Sequence, residues 1–136
     1  MLPFRVQIRP GVSIHEQIVY AAKKAIISGR FATGEPFPSV RALSRELKIN
    51  PNTAYKVVAT LIAEGLLESV PGVGTVAVLP AKATASQRTA LLDRDIEQLV
   101  VEAKKLGISV SEFKAALDSH WDRIGSPAQD DGDKRP

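Results

Sequence analysis

The chain has 136 residues, 44% hydrophobic and 24% charged, enough for one domain with a modest core plus an appendage. It contains no cysteine, which excludes disulfides, zinc fingers, iron–sulfur clusters and thiol catalysis together. The formal net charge is +3, and residues 1–80 carry the excess with 9 Lys and Arg against 5 Asp and Glu, so a polyanionic partner is to be sought there.

The segment Met1 to Gly11 has no apolar core of signal-peptide length. No apolar run approaches the roughly 20 residues that span a membrane. His15 and His120 are too few and too far apart to suggest a metal site. These features predict a cytoplasmic protein with no membrane partner, no cofactor and no metal.

Phe4 to Arg9 alternates apolar and polar residues, as a short strand or an extended arm would. Ser13 can cap a helix to about Ser28, with Ile14, Ile18, Ala21, Ala22, Ala25 and Ile26 on one side. Gly29 ends it. Arg30 to Pro38 holds Gly34, Pro36 and Pro38 and reads as a loop. Ser39 starts a short helix that buries Val40, Leu43 and Leu47. Lys48, Ile49 and Asn50 form the turn. Asn50 is a good N-cap, and Pro51 stands at the first helical position, where its missing N–H costs nothing. That helix runs to about Glu64 with Ala54, Val57, Val58, Leu61 and Ile62 inward, and Gly65 stops it. Leu66 to Val70 and Thr75 to Leu79 read as a β hairpin around Pro71, Gly72, Val73 and Gly74.

Pro80 to Ala85 is a small-residue linker, and the chain then changes character. In Ser86 to Leu106 the residues Leu92, Ile96, Leu99, Ala103 and Leu106 form a heptad-like seam of about two heptads, too short for a free-standing coiled coil. Gly107 stops this helix. Ser109 and Glu112 form a capping box for a helix that buries Val110, Phe113, Leu117, Trp121 and Ile124. From Gly125 the chain is rich in Pro, Gly and Asp, which predicts disorder.

Gly34 to Val78 is the informative stretch. A short helix, a three-residue turn and a helix opening Asn50, Pro51, Asn52, Thr53 read as a helix-turn-helix, whose second helix reads bases with its N-terminal residues. Asn52 can donate and accept along a base edge, best with adenine. Thr53 can bond a phosphate or meet a thymine methyl. Tyr55 and Lys56 share the polar side of that helix, and Arg41 and Arg45 project from the preceding one. The hairpin would be a wing, with Gly72 and Gly74 letting backbone N–H groups approach a phosphate. The candidate DNA-binding set is Ser39, Arg41, Arg45, Asn50, Asn52, Thr53, Tyr55, Lys56, Gly72 and Gly74.

This stretch resembles the winged-helix domain of the GntR family of bacterial transcription regulators. Gly34, Pro38, Ser39, Arg41, Leu43, Leu47, Asn52, Thr53, Leu61, Gly65, Gly72, Gly74 and Thr75 stand in register with that family's pattern. Pro-Ser-Val-Arg at 38–41 and Asn-Pro-Asn-Thr at 50–53 are similar to the YtrA subfamily, as are Ile14, Glu16, Gln17 and Ile18. Two short C-terminal helices fit that subfamily, because others append larger effector domains. The resemblance implies a transcriptional repressor, often acting on its own operon and on an ABC-type transporter operon. Three departures stand out. Ala42 replaces the Glu that would complete a capping box with Ser39. Ser69, Val70, Pro71 and Val73 give the wing no charge. Tyr55 stands where many relatives carry Arg or Ser.

Other motifs have plainer readings. Gly72 to Thr75 lacks the Gly-Lys-Ser/Thr that opens a P-loop helix. Asp130 to Asp133 lacks the later Gly placement and the terminal Glu of a calcium loop. Asp93, Asp95 and Glu97 read as a solvated helix face, and Trp121 beside His120 as a packing anchor beside a surface residue. No catalytic set has a framework, so the chain is not expected to be an enzyme.

The fold expected is mainly α with a small β hairpin: a winged helix-turn-helix over 1–80, a C-terminal α-helical hairpin over 81–125, and a disordered tail over 126–136. The seam of Leu92, Ile96, Leu99, Leu106, Phe113, Leu117 and Trp121 is too apolar for two exposed helices, which predicts a homodimer on a two-fold symmetric double-stranded DNA operator. The alternative is a winged-helix module that binds protein rather than DNA. A small-molecule effector, of unknown identity, would need the dimer cleft or the linker region, since the helical hairpin alone is too small to enclose a pocket.

Overall fold

A computed structural model describes residues 2–78 and 82–125. Leu79 of the expected second strand, residues 80 and 81 of the expected linker, and the tail 126–136, which the sequence predicts to be disordered, lie outside the described residues. The described chain forms two compact units, one over 2–78 and one over 82–124.

In the first unit, α1 (Ile14–Ile27) starts at Ser13, whose hydroxyl accepts the Glu16 N–H at 3.3 Å. It buries Ile18, Val19, Ala22, Ala25 and Ile26. Three positions differ from the expected set, Val19 being buried as well as the two that break the apolar pattern. Ile14 is exposed, and Gln17 is buried. The Gln17 amide explains its place. Its Oε1 accepts the Arg9 N–H at 2.6 Å, and its Nε2 donates to the carbonyls of Arg9 (3.0 Å) and Val12 (2.9 Å). A buried polar group is tolerated when its bonding capacity is filled, and here it fastens the chain entering α1. That entering chain is an extended arm rather than a strand. Its Phe4 is buried and stacks on Phe37 with ring centroids 5.8 Å apart, and Phe31 meets Phe37 at 5.5 Å.

Next comes α2 (Val40–Leu47), whose N-cap Ser39 accepts the Ala42 N–H at 3.0 Å. It is followed by α3 (Pro51–Ala63), which buries Ala54, Val57, Val58 and Leu61 and leaves Ile62 exposed. Both α1 and α2 pack on α3. Ile18, Leu43, Val57 and Leu61 are the largest fully buried side chains, so each of the three helices contributes to one core. Gly65, at φ +76°, turns the chain out of α3.

The wing is β1 (Leu67–Val70) and β2 (Gly74–Ala77), antiparallel, with Leu67 opposite Ala77 and Val70 opposite Gly74. Pro71 and Gly72 take the two central turn positions. Gly72 is at φ +78°, and the Val73 N–H donates to the Val70 carbonyl at 3.0 Å, as a type II turn requires. The loop expected over 30–38 is partly strand-like. Gly34 and Phe37 donate to the carbonyls of Ala77 and Thr75, and Ala77 donates back to Glu35. Pro36 lacks a donor, but the pairing draws on its neighbours' N–H groups, so an edge segment forms despite two prolines.

In the second unit, α4 (Ala85–Thr89) begins with a capping box of Thr84 and Gln87. A π-helical turn (Ala90–Asp95) leads into α5 (Ile96–Lys105), and α6 (Val110–Ile124) follows. The expected capping box is present: Glu112 N–H donates to Ser109 Oγ at 3.1 Å, and Ser109 N–H to Glu112 Oε1 at 3.4 Å. The π turn inserts extra backbone into what the spacing predicts as an uninterrupted helix. It shifts the register between Leu92 and the residues after it. The inward side of α5 accordingly runs through Ile96, Val100 and Ala103, not Leu99. The two expected C-terminal helices are both present, but α6 buries no residue.

Candidate nucleic-acid interface

The start of α3 is built by Asn50 and the turn before it. Asn50 Oδ1 accepts the Asn52 N–H at 2.7 Å, satisfying one of the donors that a helix start leaves orphaned. Ser44 fixes the turn from the other side. Its hydroxyl donates to the Ile49 carbonyl at 2.7 Å, and its own carbonyl accepts the Ile49 N–H at 3.1 Å. Sequence reasoning passed over Ser44. The available signal was a small hydroxyl residue five positions before Ile49, within reach of its backbone carbonyl. Lys48 closes α2 in the left-handed conformation, at φ 55° and ψ 49°.

With Ala54, Val57, Val58 and Leu61 buried, the opposite side of α3 is fixed as the outward one. Asn52, Tyr55 and Lys56 occupy positions i, i+3 and i+4 on it, and all three are exposed. Thr53 is half-buried at its edge. Arg41 and Arg45, one turn apart on α2, are exposed too. Among the described residues, the side chains of Arg41, Arg45, Asn52, Tyr55 and Lys56 have no hydrogen-bond or ion-pair partner. These donors and acceptors are therefore available to an external ligand. Ser39 and Asn50 differ from them, because their oxygens are already engaged as helix caps. Gly72 and Gly74 are exposed at the wing tip, at φ +78° and +109°. Arg45 also edges an open groove of about 440 Å³, lined by Pro3, Phe31 and Phe37 among others.

The seven seam residues are distributed differently. Ile96 and Phe113 are half-buried. Leu92, Leu99, Leu106, Leu117 and Trp121 are exposed, Trp121 by 73%. Among the described residues no helix is long and apolar enough to cross a membrane.

The three packed helices, the two-stranded wing and the polar α3 start are the parts of a winged helix. Residues 14–76 match the family described as bacterial regulatory proteins, gntR family. The chain is 32% identical over 111 residues to the HTH-type transcriptional repressor YtrA of Bacillus subtilis (strain 168), covering 79% of this chain and 85% of that one. The chain belongs to the GntR family. Among solved structures, this GntR-family protein is similar to a transcriptional antiterminator from Listeria monocytogenes EGD-e. The TM-score there is 0.74, with 25% identity, covering 93% of this chain and 96% of that one. It is also similar to a GntR family transcriptional regulator from Listeria monocytogenes, with a TM-score of 0.59 and 26% identity over 82% of this chain and 98% of that one. This GntR-family chain is a DNA-binding transcription regulator and not an enzyme.

Proposed function

We propose that the protein is a homodimeric repressor that binds an inverted-repeat operator, with one α3 entering the major groove at each half-site. Asn52 reads an adenine edge, Thr53 and Tyr55 make the neighbouring contacts, and Arg41, Arg45 and Lys56 hold phosphates. The wing contributes backbone groups at Gly72 and Gly74. The observation that carries this reading is the exposed, unpartnered polar face of α3, held outward by a fully buried opposite face. The second unit supports dimerisation. Leu92, Leu99, Leu106, Leu117 and Trp121 would leave water on pairing with a second copy. YtrA is named a repressor, and the resemblance to its subfamily extends the proposal to targets: the protein's own operon and an ABC-type transporter operon. Such a regulator works in the cytoplasm, where the chromosome is.

Selection of duplexes from a random pool tests the reading. The enriched sequences should form inverted repeats, one of them lying upstream of the protein's own gene. Affinity for the enriched duplex should fall with salt at a log–log slope on the order of −4 to −8. Absence of any enriched sequence would favour the protein-binding alternative, to which the wing, with no Lys or Arg, is also suited. A salt slope near zero would rule out phosphate-anchored binding.

A further inference from the structure

We infer that His15 is a positioning residue for α3, tying α1 to the middle of that helix and setting how Asn52 and Tyr55 meet the bases. This rests on the DNA-reading role proposed for α3. His15 lies in the first turn of α1 and is half-buried. Its Nε2 is 3.0 Å from Thr60 Oγ1 and 3.4 Å from the Lys56 carbonyl oxygen. A carbonyl only accepts, so the arrangement calls for the proton on Nε2, which donates toward both oxygens. Lys56 is one turn beyond Asn52, and Thr60 one turn beyond Lys56, so the imidazole grips the same stretch of helix that carries the base-facing side chains.

The apolar contacts of α3 fix which side of the helix faces outward. The attraction of Ala54, Val57, Val58 and Leu61 is non-directional, so it sets the fine alignment of α3 on α1 less sharply than a directional contact does. A hydrogen bond is directional and weakens steeply when its angle fails. Among the described residues one other side-chain link joins α1 to α3, the Lys23–Glu64 ion pair at 2.9 Å. It sits at the far end of α3 and is about 40% exposed on both partners, where such a pair contributes little. His15 is thus the link near the reading end.

The test uses the full chain and three variants: His15→Phe, which keeps a ring without a donor; His15→Ala; and His15→Gln, whose amide nitrogen can stand where Nε2 does. The probes are the duplex enriched from a random pool and a scrambled duplex of the same length. His15→Phe and His15→Ala should bind the enriched duplex about 5- to 10-fold more weakly, the loss of part of one base contact. They should keep scrambled affinity within about twofold and the parent salt slope. His15→Gln should restore discrimination to within about twofold of the parent. If His15→Phe binds both duplexes like the parent, the inference is overturned. If it loses both affinities equally with a shallower salt slope, His15 is a phosphate contact and the inference is again overturned. If it folds with a lowered thermal midpoint but unchanged discrimination, the link is structural only. If the parent enriches no sequence, the DNA-reading role of α3 fails and the inference falls with it.

Discussion

Lys48 is, among the described residues other than glycine, the one with a positive φ. It ends α2 in the left-handed region, where its Cβ crowds the following carbonyl, at a cost of roughly 1–2 kcal/mol. Glycine removes that cost but loses about 0.5–1 kcal/mol through the greater freedom of the unfolded chain. The net for Lys48→Gly is therefore a gain of about 0.5–1 kcal/mol, which in a domain of this size raises the thermal midpoint by about 2–8 °C. The side chain itself is exposed, between Arg45 and the start of α3. Its ammonium is expected to displace counterions from DNA, so the same substitution should weaken binding and make the salt slope shallower by about 1 per subunit. Lys48→Ala separates the two effects, since it removes the charge and keeps the Cβ. It should match Lys48→Gly in DNA binding and lack its stability gain. Circular dichroism melts and anisotropy titrations at several salt concentrations measure both. A midpoint for Lys48→Gly at or below the parent's would refute the strain argument. An unchanged slope in both variants would refute the phosphate contact.

Asn52→Ala should lower affinity for the enriched duplex by roughly 5- to 100-fold, the worth of one bidentate base contact, while binding to scrambled DNA barely changes. Lys56→Ala should weaken both by a similar factor and flatten the salt slope; equal losses on both duplexes for Asn52→Ala would return that residue to helix-start chemistry. Leu99→Asp should place a carboxylate in the seam and convert a dimer to a monomer in sedimentation, and an unchanged mass would exclude Leu99 from the interface. Gln17→Leu should strand the Arg9 N–H and two carbonyls, cost about 1–3 kcal/mol, and increase hydrogen exchange at Arg9; a parent-like melt would show that water replaces the amide without loss.

The helices of the first unit were legible because their ends carry local chemistry. Ser13, Ser39 and Asn50 each accept the N–H that a cap should accept, and each governs only its own helix. The inward face of α3 was legible from the spacing of Ala54, Val57, Val58 and Leu61. What escaped depends on partners that lie outside the helix carrying the residue. Gln17 is buried because its amide meets backbone groups of Arg9 and Val12, and a hydropathy period counts it as polar. The pairing of residues 34–37 with β2 was hidden by Pro36 and Pro38, which read as loop until the donors prove to be Gly34 and Phe37. His15 gave no signal at all, since only the packing of α1 on α3 brings Thr60 to its ring.

The second unit marks a different boundary of local reading. A seam at spacing 4, 3, 4, 3 presumes that every turn holds the same number of residues, and the π turn at Ala90–Asp95 breaks that presumption with no Gly or Pro to announce it. After it, Ile96, Val100 and Ala103 turn inward while Leu99 stays in solvent, together with Leu106, Leu117 and Trp121. Scattered exposed apolar residues need no explanation, but a run of large ones along successive helices of a small unit does. None of α6 is buried within its own chain, although its sequence carries Val110, Phe113, Leu117, Trp121 and Ile124 at helical spacing. An amphipathic period this sparsely covered within its own chain is the pattern of a helix whose partner belongs to another molecule. In the proposed dimer a second copy would supply the same unsatisfied face in matching number, and two-fold pairing would set two α3 helices against two half-sites. In the proposed dimer the register change at the π turn would bear on function, because it decides which side of α5 is left for a second copy to cover.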